Sequence, residues 1–155
     1  MLTPVIAGIA VANGLAFSPD GRTLYAANSP SRMVEAWDLD PASGAVSNRR
    51  TFLTLIEGEG FVDGACVDME GGYWLANVGA GRLRRYLPDG TLDRIIELPF
   101  SSPTKMAFGG QDLGTLYVTS TRLEMQCFMQ PTMPNGAIYA LDPGVCGVPE
   151  PLFSG

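Results

Sequence analysis

Two short motifs place oxygen-bearing side chains where chemistry is possible. Asn13-Gly14 and Asp63-Gly64 each precede a short apolar run, Leu15-Ala16-Phe17 in the first case and Ala65-Cys66-Val67 in the second. An amide oxygen and a carboxylate are hard donors, suited to Ca²⁺, Mg²⁺ or Mn²⁺ and also to Zn²⁺. A carboxylate beside a cation can take the proton of an attacking water as general base. The same dipeptides also occur simply as loop residues leading into a strand, and that reading stands beside the first. The 155-residue chain has no histidine, which removes His-based zinc sites, Ser-His-Asp triads and Cys-His nucleophile pairs. Carboxylates, amides, hydroxyls, lysine or a bound metal must carry any chemistry.

The composition narrows the partners. A chain that is 46% hydrophobic and 17% charged can bury a core. Its formal net charge of −6 repels phosphate backbones, so no nucleic acid is expected. No apolar run reaches the length of a membrane span, so no membrane partner is expected. The apolar N-terminus has no Lys or Arg before Arg22 and lacks the charged start of a secretory signal. Three cysteines, Cys66, Cys127 and Cys146, form no CxxC pair and no even framework, which points to a reducing, cytoplasmic setting.

Short strands must position these residues. Nineteen glycines and twelve prolines fall as punctuation, at Ser18-Pro19-Asp20-Gly21, Asp40 to Gly44, Glu70-Gly71-Gly72, Pro88-Asp89-Gly90 and Asp142-Pro143-Gly144. Between them lie runs of strand length, such as Thr23 to Ala27, Tyr73 to Ala76 and Thr115 to Thr119. The order turn, strand, turn, strand recurs three times, with repeats that begin at Asn13, Asp63 and Thr104, 50 and 41 residues apart. Repeats of that length with about four strands each predict blades of a β-propeller rather than a sandwich. The fold class is all-β, a propeller of the six-bladed type with about three blades, residues 1–155 forming one partial domain. Propellers close with about four to eight blades, so three require either a missing N-terminal half or a homodimer partner.

The repeats resemble the senescence marker protein/regucalcin/gluconolactonase family of six-bladed propellers. The resemblance rests on Ala12 to Ser18, Ser43 to Arg50, Asp63 to Asp68 with Gly72 to Ala76, and Ala107 to Gly110 followed by Leu116 to Thr119. It spans essentially the whole chain and matches the family's C-terminal half. It implies hydrolysis of a sugar lactone at one divalent metal in the central channel, with Ca²⁺ first among the candidate ions. It also implies roles: of the family's four metal-binding side chains, Asn13 matches the third and Asp63 the fourth, the first two lying in the other half. Asp63 is then both ligand and catalytic base. A non-catalytic calcium-binding or protein-interaction fragment is the alternative.

Other residues carry less. Asn28, Asn77 and Ser120 end the second strand of their repeats and face the same mouth or cap turns; Arg122 follows and is a sugar contact or a surface cation. Leu123 to Asn135, with Met125, Met129 and Met133, is a candidate lid. Trp37, Trp74, Tyr25 and Tyr117 are expected between blades, and Asp20, Asp68, Asp89 and Asp142 as solvated turn caps.

Overall fold

Turns rich in glycine and proline cut the chain into strands too short to pair with more than their neighbours, and the strands pair in chain order. The computed structural model describes residues 2–123 and 134–149. Its strands are β1 Ala12–Phe17, β2 Thr23–Asn28, β3 Met33–Leu39, β4 Val46–Thr54, β5 Phe61–Val67, β6 Tyr73–Val78, β7 Arg82–Tyr86, β8 Leu92–Glu97, β9 Pro103–Gly109, β10 Thr115–Ser120 and β11 Ile138–Leu141. They form three antiparallel sheets in the orders β1-β2-β3-β4, β5-β6-β7-β8 and β9-β10-β11. These are three blades of a β-propeller. The third has three described strands where the repeat predicts four.

The first strands of the blades lie side by side, β1 against β5 and β5 against β9. The second strands of blades one and two are buried on both faces, so each reads as a continuous apolar run rather than an alternation. In β2, Tyr25 and Ala27 join the core between blades one and two, with Val34, Leu53, Val62, Tyr73 and Leu75. Tyr25 lies 5.0 Å from Tyr73 and 4.8 Å from Phe52, ring centre to ring centre. One step along in blade two, Trp74 and Ala76 face the other way, into a core with Phe100, Met106, Leu116 and Val118. Trp37 packs with Leu24 and Ala26 on the outer face of blade one, where Ile6 and Ile9 rest on them.

Tyr117 departs from expectation. It occupies in β10 the place of Tyr25 and Trp74, yet it is 44% exposed. The alternation of β10 turns Leu116 and Val118 to blade two and leaves Tyr117 on the face where no further blade packs among the described residues.

Asp68 departs as well. It does cap its turn, because its carboxylate accepts from the Glu70 and Gly72 N–H groups at 3.0 and 2.9 Å. It is not solvated, however, but fully buried. The Trp74 indole N–H donates to it at 2.7 Å, and Arg85, itself buried, donates to it from Nε at 2.7 Å. Arg85 also reaches Glu70 at 2.8 Å and Asp93 at 2.9 Å. Asp20, Asp89 and Asp142 do cap exposed turns through backbone N–H groups. Because Asp68 satisfies four donor groups inside the blade, Asp68→Ala leaves the buried Arg85 Nε–H and the Trp74 indole N–H without their acceptor and Arg85 without its only fully buried counter-charge. The expected loss is about 3–5 kcal/mol of stability, read as a lowered urea midpoint.

Candidate site at the channel mouth

All three inner strands break register at the same place. Pairing of β1 with β2 shifts between Asn13 and Ala16, that of β5 with β6 between Val62 and Ala65, and that of β9 with β10 beside Thr104. Such bulges re-aim the side chains at the break. Asn13, Asp63 and Thr104 therefore occupy equivalent bulges on neighbouring strands, at the end of the blades where β2, β6 and β10 finish.

Glycine after Asn13 and after Asp63 lets the strands meet. A Cβ on Gly14, which has φ of +60°, would sit 2.7 Å from the Tyr73 hydroxyl and 2.8 Å from the Ala27 Cβ. The hydroxyl itself donates to the Gly14 carbonyl at 2.8 Å across the blade boundary. A Cβ on Gly64 would sit 2.6 Å from the Thr104 carbonyl oxygen and 2.9 Å from the Lys105 Cα. The glycines of both motifs thus have a packing reason, while Asn13 and Asp63 need another.

One side chain connects the two bulges. Asn13 Nδ2 donates to Ser29 Oγ at 2.8 Å, and Ser29 Oγ donates to the Val62 carbonyl at 2.5 Å. Val62 immediately precedes Asp63. This fixes the Asn13 amide so that its Oδ1 remains without a hydrogen bond among the described residues. Asp63 is partly buried and has no described hydrogen bond or ion pair, and burial alone raises its carboxyl pKa. An amide oxygen held free and a desolvated, unpaired carboxylate suit a hard divalent cation. No three His, Cys, Asp or Glu side chains cluster among the described residues, so any such centre draws on amide or carbonyl oxygens.

The weaker candidates divide. Asn28 Oδ1 accepts from the Val11 N–H at 3.4 Å. Ser120 Oγ holds the returning chain, accepting from the Gly136 and Ala137 N–H groups. Asn77 is fully buried at the seam of blades one and two, where its Nδ2 donates to the Glu59 carbonyl at 3.2 Å and its Oδ1 has no partner among the described residues. Arg122 is exposed beside Gly136. Met125, Met129 and Met133 lie outside the described residues. The far end of that connection is pinned, since Asn135 bonds the Ser102 N–H at 3.1 Å and the Ser101 hydroxyl at 2.9 Å.

Three features escaped the sequence. Ser29 sits in a 3-10 turn outside the repeat pattern. The loop leading to Asp63 is clamped by Arg84, which donates to Glu59 at 2.5 Å, and by Arg32, which donates to the Gly60 carbonyl at 3.2 Å. Beyond the bulges, a cavity of about 740 Å³ runs along the inner strands past Phe17, Cys66, Lys105 and Phe108. Burial pushes the Cys66 thiol up to about 12, so it is no nucleophile there.

Comparison with known proteins gives a consistent set of relatives. Residues 1–122 match the family model described as the SMP-30/Gluconolactonase/LRE-like region. A 6-deoxy-6-sulfogluconolactonase of Pseudomonas putida is 40% identical over 97% of this chain and 53% of its own length. Regucalcin of Xenopus laevis is 38% identical over 94% of this chain and 50% of its own. Among solved structures, a calcium-binding regucalcin from Agrobacterium tumefaciens superposes with a TM-score of 0.85 at 31% identity, over 98% of this chain and 52% of that one. The chain spans about half the length of the curated relatives it matches.

The strand contact at Gly64 is directly testable. Gly64→Ala forces the β5 and β9 backbones apart, because the atoms it meets are largely main-chain. A loss of about 1–3 kcal/mol is expected, measured by urea denaturation; Gly64 does not have a positive φ, so crowding alone accounts for it.

Proposed function

Because this chain belongs to the SMP-30/gluconolactonase/LRE-like family, we propose that it contributes half of the channel site of a metal-dependent sugar-lactone hydrolase. The observation that carries the proposal is the pair of equivalent bulges that present Asn13 and Asp63 on adjacent inner strands, coupled through Ser29.

Asn13 Oδ1 and the Asp63 carboxylate would hold the divalent ion, with Ca²⁺ the first choice for an all-oxygen set. When bound, such an ion polarises a lactone carbonyl and lowers the pKa of a bound water. Asp63 takes the proton of the water that attacks the carbonyl carbon, and the ring C–O bond then breaks to leave a hydroxy-carboxylate. Ser29 orients: by taking the amide N–H of Asn13 it dedicates the other amide atom to the cation. The remaining oxygen ligands come from blades equivalent to the other half of the relatives, or from a second copy related by a two-fold axis along the channel.

A second reading has its own support. Two side chains with at most three oxygens fall short of the six to eight that Ca²⁺ takes, and the chain covers about half of each relative. On that reading the chain binds a cation or a protein without turning over a lactone.

One assay separates the two. Hydrolysis of δ-gluconolactone above its spontaneous rate, followed by pH-stat, is expected to require added Ca²⁺ or Mn²⁺ and to vanish with chelator. Asp63→Asn is expected to lower kcat about 100-fold or more. Cation binding by calorimetry without any turnover favours the second reading. Ser29→Ala is expected to weaken cation affinity about 10–100-fold, with the fold intact by circular dichroism.

A further inference from the structure

Two polar side chains stand where packing alone asks for apolar ones. Asn77 and Arg84 are both buried. The alternation of β6 puts Asn77 on the face of Tyr73 and Leu75, and the strand register sets Arg84 opposite Leu75. That face meets blade one across Val34, Leu53, Leu55 and Val62. Each of the two keeps one atom without a hydrogen bond among the described residues, Oδ1 of Asn77 and Nε of Arg84. A buried polar atom without a partner costs stability, and apolar side chains of similar size remove that cost. Stability by itself would favour a leucine and a methionine in these places.

What the two side chains share is Glu59. Asn77 Nδ2 donates to its carbonyl at 3.2 Å, and Arg84 donates to its carboxylate at 2.5 Å. The second carboxylate oxygen accepts from the Ile56 N–H at 3.0 Å. Glu59 opens the four-residue approach to Asp63, and each later residue of that approach is held too. The Gly60 carbonyl accepts from Arg32 Nε at 3.2 Å, and a Cβ on Gly60 would sit 2.7 Å from the Val78 carbonyl oxygen. The Arg32 guanidinium lies 4.6 Å over the Phe61 ring, and the Val62 carbonyl accepts from Ser29. Arg32 and Ser29 grip the approach from blade one. Asn77 and Arg84 grip it from inside blade two, the blade that carries Asp63.

We propose that Asn77 and Arg84 are positioning residues for Asp63: through Glu59 they fix the chain that enters the β5 bulge, and the seam is less stable for it. A bulged residue has no ladder partner of its own, so the chain leading in sets where its carboxylate stands. An oxygen that ligates Ca²⁺ must be placed at about 2.3–2.6 Å, which a loose approach would not secure. The positioning stands on these contacts alone; that it serves a cation rests on the lactonase reading.

The test is Asn77→Leu, with Arg84→Met as an independent second variant. For each, the urea midpoint is expected to stay or rise, which a merely structural pair would not allow. Amide hydrogen exchange at Val62, Asp63 and Gly64 is expected to quicken about tenfold, as for loss of one net hydrogen bond. Mn²⁺ affinity, measured by electron paramagnetic resonance, is expected to fall about tenfold. A lowered midpoint, or two variants that do not fold, makes Asn77 and Arg84 structural struts and overturns the proposal. Unchanged exchange at the bulge overturns it as well, and so does unchanged Mn²⁺ affinity where the wild type binds the ion. A wild-type chain that binds no Mn²⁺ removes the cation reading and leaves exchange at the bulge to decide the positioning.

Discussion

Everything at the channel mouth depends on how closely the inner strands of neighbouring blades approach one another. Gly14 and Gly64 set that distance: each leaves room where any side chain would meet backbone or ring atoms of the next blade. The Tyr73 hydroxyl ties the β1 side of the seam through the Gly14 carbonyl, and Ser29 ties the other end through the Val62 carbonyl. With the strands so fixed, the bulges are the only places where the inner ladder yields. The side chains of Asn13 and Asp63 stand at those places. In the proposed site, a structural demand for glycine and a chemical demand for oxygen donors would thereby fall on adjacent residues, which would account for the Asn-Gly and Asp-Gly motifs.

Blades hold that geometry by different means on their two sides. Between blades one and two the seam is aromatic, with Tyr25, Phe52, Tyr73 and Tyr86 in mutual contact. Within blade two, the buried Asp68–Arg85 pair is fully furnished with hydrogen bonds, so its charges are compensated where they are desolvated. Asp63 is the contrast. It is partly buried without a partner among the described residues, a state that a folded protein keeps at a cost, and one that a bound cation would relieve.

The fold was legible because its punctuation is chemical. Turn dipeptides and two-sided apolar middle strands recur in the same order three times, and the sheets follow that order. What the sequence hid was mostly a matter of faces. Tyr117 looks like Tyr25 and Trp74 in register, but nothing in the string states that no further blade covers it. Asp68 sits in an Asp-Met-Glu-Gly-Gly turn that suggests water, and only the fold brings Arg85 from seventeen residues away to bury with it. At the site, the identities of Asn13 and Asp63 were visible as motifs. Ser29 was not, since a serine in a Ser-Pro-Ser turn carries no mark of the strand it will touch 33 residues later.

The central claim is that Asn13 and Asp63 share one cation. It is tested most directly by a crystal of the chain grown with Mn²⁺ and measured for anomalous scattering. A single anomalous peak within about 2.0–2.6 Å of both Asn13 Oδ1 and an Asp63 carboxylate oxygen is the result this account predicts. Crystals saturated with Mn²⁺ in which the peak sits elsewhere, or in which Asp63 remains unligated, would contradict it.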